Sequence, residues 1–172
     1  MGNTRGSVRF VVAVVGVVVV AVYAALLALN ALVLDPLAAV PGRSLAQIYA
    51  RVDAMGSSST GNVRGVLVVA SIGVALAVAA AVVGLAARLP ATVIAVLHLG
   101  VLAAGALATF QSGFFLGMDV ADSFMTDGAA HTIWAGVLHL TSLAALVAIP
   151  AVLFATMIQT RSTQRQQQPA AG

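Results

Sequence analysis

Between its formal charges this chain leaves four apolar stretches, at residues 10–34, 65–87, 89–118 and 128–160. Each is at least as long as the roughly 20 residues an α-helix needs to cross the hydrocarbon core of a bilayer. In lipid every backbone N–H and C=O must be bonded within its own segment. The first stretch, FVVAVVGVVVVAVYAALLALNALVL, is therefore read as helical despite the weak helix propensity of valine. It is also longer than the apolar core of a secretory signal, about 7 to 15 residues, so it reads as an uncleaved first span. The expectation is an all-α integral membrane protein, a left-handed up-down bundle of four transmembrane helices at about 10–34, 65–87, 91–118 and 131–158.

Composition agrees with that plan and excludes several function classes. The chain is 61% hydrophobic and 8% charged, where a soluble domain is about a quarter charged. The four spans take up most of its 172 residues, which leaves one membrane domain at 1–160, a polar tail at 161–172 expected to be disordered, and no length for a soluble catalytic head. With no cysteine there is no thiolate, disulfide-exchange or Cys-ligated metal chemistry. The sequence pI near 10.7 comes from arginines dispersed at span edges without interleaved aromatics, so nucleic acid is not an expected partner.

Arginine placement orients the chain. With a cytoplasmic N-terminus, Arg5, Arg9, Arg88, Arg161 and Arg165 fall inside without any acid. Arg43, Arg51, Arg64 and all five aspartates then fall outside. The positive-inside rule selects this arrangement, N-in and C-in. Exclusive use of Arg and Asp as charged residues, among abundant Ala, Val and Gly, points to a high-GC bacterial genome and hence to a bacterial cytoplasmic membrane.

The one sizeable loop, 35–63, carries local order. Pro36, Pro41 and Gly42 are expected to end the first helix; Ser44 with Gln47 forms a capping box; and Leu45, Ile48, Tyr49 and Val52 follow at helical spacing. This predicts a short amphipathic helix at about 44–54 in the first extracytoplasmic loop, lying on the outer membrane face or capping the bundle mouth, with Tyr49 at headgroup depth. Residues 56–62, GSSSTGN, are expected to be a flexible return. In the second span Gly73, Ala77, Ala80 and Gly84 share one face. Such small residues let helices approach closely in lipid, and they predict a central position for that helix.

No Asp, Glu, Lys or Arg lies inside a span, which argues against transport coupled through an embedded carboxylate. The titratable groups left in the spans are His98 and His139. Counting from the span ends places both near mid-depth, and two polar stripes, His98–Gly105–Thr109–Ser112 and Thr132–His139–Ser142, are expected to face each other. Two facing imidazoles beside Gly100 and Gly105 would suit bis-histidine ligation of a haem b; a hydrogen bond from each histidine to a backbone carbonyl or hydroxyl is the plainer alternative. The string VLHL followed by LAA recurs at an offset of 41 residues. The outer loop after the third span carries Asp119, Asp122 and Asp127 with His131, which have no calcium-loop or zinc spacing and are read as a solvated acidic loop. Asp127 and Gly128 could cap the fourth helix, Trp134 could anchor at the interface, and Pro150 could kink the last span.

The functional expectation is a non-enzymatic accessory, scaffold or self-associating subunit without a cofactor, whose partners are the bilayer and other membrane helices. The alternatives are a haem b electron carrier using His98 and His139, and a small channel or transporter.

Overall fold

A computed structural model describes residues 2–167, and every regular element among them is helical. Helix α1 is the continuous run 2–39, composed of an α segment Gly2–Leu29, a π turn Asn30–Leu34 and a closing α turn Asp35–Ala39. Helix α2 is Leu45–Ala54, α3 is Ser59–Ala86, α4 is Ala91–Phe124 and α5 is Ile133–Gln167. Helices α1, α3, α4 and α5 are each long and apolar enough to cross a membrane. The protein is an all-α, multi-pass membrane bundle.

Its helices outrun the boundaries expected from sequence, for identifiable reasons. Pro36 does not end α1. It lacks an N–H and its ring crowds the carbonyl four residues back, but the preceding turn has widened, and the Asp35 N–H reaches five residues back to the Asn30 carbonyl. The wide turn accommodates the ring, and the helix stops at Val40, before Pro41 and the left-handed Gly42 (φ 81°). Nor is 56–62 a free linker, because α3 begins at Ser59. The Ser58 hydroxyl accepts the Gly61 N–H at 3.0 Å, and the Asp53 carboxylate accepts the Ser59 N–H and hydroxyl, both at 2.8 Å. These contacts satisfy donors that a helix start leaves free. At the other end of the chain, α5 runs through Pro150 and on to Gln167, so 161–167 is helical where a disordered tail was expected. Arg and Gln are good helix formers, and no breaker precedes Pro169. The remainder of that tail, 168–172, lies outside the described residues.

Helix α4 organises the packing, with α1, α3 and α5 all resting on it. Helices α1, α3 and α4 form a mutually packed triad, whereas α5 lies on α4 and touches α1 only lightly. Buried positions on α4 run Ile94, His98, Leu102, Gly105, Thr109, Ser112 and Leu116, a stripe at steps of three and four. Helix α2 caps one end, with Ile48 and Val52 packed against Ala39, Leu116 and Val120. The capping box is present in both directions: Ser44 N donates to Gln47 Oε1 at 3.1 Å, and Gln47 N to Ser44 Oγ at 3.3 Å. The Tyr49 hydroxyl donates to the Leu32 carbonyl and ties α2 to the π turn.

The small-residue face of α3 needs a correction. Ala77 and Gly84 are buried, and a Cβ on Gly84 would meet Ile94 Cγ1 at 2.7 Å, so this part of the face closes the α3–α4 hairpin through Arg88 (φ 53°). A Cβ on Gly73, by contrast, would meet nothing within 4 Å. Helix α3 is the least enclosed span, with 11% of its most apolar stretch buried against 28% for α1. Small side chains on α3 permit close approach at one end of the helix without placing it at the centre.

Candidate functional site

The polar stripe on α4 is real and faces inward, but its partner is α1. The His98 ring lies on the backbone of Gly16, where a Cβ would sit 2.4 Å from His98 Cγ. His98 Nδ1 donates to the Ile94 carbonyl at 2.8 Å, which leaves Nε2 buried without a partner. Higher on the stripe, Gly105 makes room for the Tyr23 ring, whose atoms would come within 2.8 Å of a Cβ there. The Tyr23 hydroxyl bonds Thr109 Oγ1 at 2.8 Å and Ser142 Oγ at 2.9 Å. One phenol thus joins α1, α4 and α5 inside the bundle. Sequence reasoning passed over Tyr23 and Gly16. The available signal was a lone tyrosine in a valine-rich span, with a glycine seven residues before it on the same face.

This junction also fixes the relative height of the histidines. Thr109 and Ser142 share one hydroxyl and therefore mark one level. His98 lies eleven residues to one side of that level on α4, and His139 three residues to the other on α5. At 1.5 Å rise per residue the imidazoles are about 21 Å apart along the bundle. His139 is moreover exposed, its Nδ1 donating to the Ala135 carbonyl at 2.7 Å. The expected facing pair is not formed, and a haem held between these two imidazoles in one chain does not fit this geometry. The error came from placing both spans by their ends: α4 continues six residues past 118, which shifts α5 relative to it. On α5 the buried line is Leu138, Ser142 and Ala145, not one containing His139.

The acidic group is likewise dispersed. Asp119 and Asp122 sit on the last turns of α4 rather than in a loop, and Asp119 accepts from Ser57 Oγ at 3.0 Å and from Asn62 Nδ2. Asp127 pairs with His131, Nε2 to Oδ1 3.1 Å, and does not cap α5, which starts at Ile133. Among the described residues no three His, Asp or Glu side chains are grouped to share a metal ion. Two titrating groups at this end have perturbed affinities for protons. Hydrogen bonds from the Ser59 backbone and hydroxyl hold the Asp53 carboxyl below its usual range, and burial pushes the Tyr49 phenol up.

What the fold does assemble is a cleft of about 200 Å³ where α1, α4 and α5 diverge. Its walls include Leu27, Ala31, Phe110, Phe114 and Leu138, with Thr109 at its deep end and Asn30, Asp35, His131 and His139 along its polar side. Thr132 Oγ1 donates to Asn30 Oδ1 at 2.6 Å, and the His131 N–H donates to Asp35 Oδ1 at 2.7 Å. These two bonds pin the start of α5 to the π turn of α1. A π turn widens a helix and redirects its side chains, a device frequent at functional sites. Here it presents Asn30 and Asp35 to the cleft. Compared with known protein families, curated proteins and solved structures, the chain matches none.

Proposed function

We propose that this four-span membrane protein is a non-enzymatic accessory or self-associating subunit that docks against other transmembrane helices, in a bacterial cytoplasmic membrane with both termini inside. The observation that carries the reading is the outward face of α3. Ser71, Ala75 and Ala79 lie on it at successive steps of four and are exposed, on the least enclosed of the four spans. A small-xxx-small line lets a second backbone approach closely, and in lipid that packing is what drives association. The light contact of α5 with α1 adds a flank that this chain leaves open.

The test is Förster transfer between differently labelled copies in proteoliposomes, diluted with lipid, for the wild type and an Ala75→Ile/Ala79→Ile variant. Self-association predicts transfer that falls on dilution and is lost in the variant. If the wild type is monomeric at every dilution, cross-linking in native membranes decides between a foreign helix and none. A cross-linked partner lost in the variant keeps the accessory role. No variant-sensitive contact in either assay rejects the reading.

A further inference from the structure

Independently of helix docking, we infer that the cleft between α1, α4 and α5 is a binding site for a cationic amphiphile, an organic ammonium with an apolar body. Charge is the first argument. Asp35 is the one carboxylate on the cleft wall, and no arginine lines it. Asp127, at the same end, adds a second carboxylate beside His131. Of the arginines at that end, Arg43 and Arg51 flank a separate groove beside Asp122 and Met125, Arg51 Nε donating to the Ser123 carbonyl at 3.5 Å, and Arg64 lies on the face of α3 with Ser71 and Ala75. The field inside the cleft therefore favours a cation and disfavours an anion.

Shape and chemistry supply the second argument. Below Asp35 the walls are aliphatic and aromatic: Leu27, Leu138, and the stacked rings of Phe110 and Phe114, whose centroids are 5.5 Å apart. An aromatic face attracts a cation while an apolar body fills the space around it. The third argument is an unpaired group. Asn30 is 6% exposed and its Oδ1 is taken by Thr132, yet its amide nitrogen has no protein partner and is not among the side-chain atoms sealed from solvent. That nitrogen is accessible and free to donate. A ligand oxygen or ring face at that height would satisfy it. The ammonium thus donates to Asp35, at the level where α1 meets the start of α5, the apolar body points toward Thr109, and the Asn30 amide is left to an acceptor on that body.

The experiment uses the whole protein in phosphatidylcholine nanodiscs, titrated with octylammonium, octanol and octanesulfonate. The readout is fluorescence of Trp134, the single tryptophan, which adjoins the wall residue Ala135; discs carrying a Trp134→Phe variant give the background. The expected order is octylammonium tightest, octanol about tenfold weaker and octanesulfonate weakest, as one unscreened carboxylate would impose. Asp35→Asn, which keeps an acceptor for the His131 N–H, should bring octylammonium to the level of octanol and leave octanol unchanged. Asp122→Asn removes the same charge from the same end of the protein but outside the cleft, and should change nothing. The inference is overturned by a non-saturable response, by an ammonium preference that survives Asp35→Asn, or by an equal loss in Asp122→Asn, which would mean surface potential alone.

Discussion

Two glycines decide how closely α4 can approach α1. Gly16 and Gly105 are the places where an aromatic side chain from the opposite helix lies directly on backbone, His98 on the first and Tyr23 on the second. The contacts are reciprocal, one ring going each way, so the two helices interlock. A methyl group at 16 would overlap the root of the imidazole, which cannot swing aside at Cγ. Gly16→Ala should therefore cost about 1–3 kcal/mol, the usual range for overpacking a filled site. The cost should largely vanish in a His98→Ala background, where the ring is gone. Gly73→Ala, with open space around its Cβ, should be neutral or stabilising by about 0.5–1 kcal/mol through helix propensity. Reversible unfolding in mixed micelles measures all three, and equal effects at 16 and 73 would show that the His98 contact is not tight.

At the scale of elements, the end of the bundle holding α2 is stitched by polar contacts, whereas the spans pack through apolar and small residues around the buried Tyr23–Thr109–Ser142 junction. Asp53 joins α2 to α3 by accepting both donors of Ser59. Its folded pKa lies below the unfolded one, so its contribution is complete above the ordinary carboxylate value of about 4 and is lost as pH falls through the lowered folded value. Protection factors of the amides in the first turn of α3 should fall between pH 7 and pH 3 in the wild type, even as intrinsic exchange slows. Asp53→Ala, which removes both acceptors, should already show low protection at pH 7 and little further change; parallel protection curves for the two proteins would refute the capping role. Tyr49 has the opposite sign: its raised folded pKa means that its bond to Leu32 persists below its ordinary value near 10 and weakens only as pH rises through the raised value.

For the whole molecule, charge separates by end. The Arg9 guanidinium donates to the Arg88 carbonyl at 2.9 Å at one end of the bundle, while Arg43, Arg51, Arg64 and the aspartates gather at the other. Positive-inside insertion predicts that the Arg9 end is cytoplasmic. The absence of cysteine makes this directly testable. An impermeant maleimide should label Met125→Cys, 96% exposed in the wild type, in intact cells, and should label Ser7→Cys only after permeabilisation. The reverse pattern would invert the topology and move the cleft to the cytoplasmic side.

Span number, the amphipathic α2 with its capping box, and the inward stripe His98–Gly105–Thr109–Ser112 were all legible in the chain. These features rest on local rules, namely the length of an apolar run, helical periodicity and the pairing of a cap with its third residue, which need no knowledge of neighbours. Three things were decided only by the tertiary structure: the relative height of α4 and α5, which carries His98 and His139 apart; the choice of α1 as the partner of the His98 stripe; and the cleft at the π turn of α1. Register between helices depends on which side chains interlock, Tyr23 with Thr109 and Ser142, or His98 with Gly16, and those contacts join residues more than eighty positions apart. The continuation of α1 through Pro36 belongs with them, because a proline reads as a stop in isolation and is carried through here by a widened turn held by His131 and Thr132, just ahead of α5.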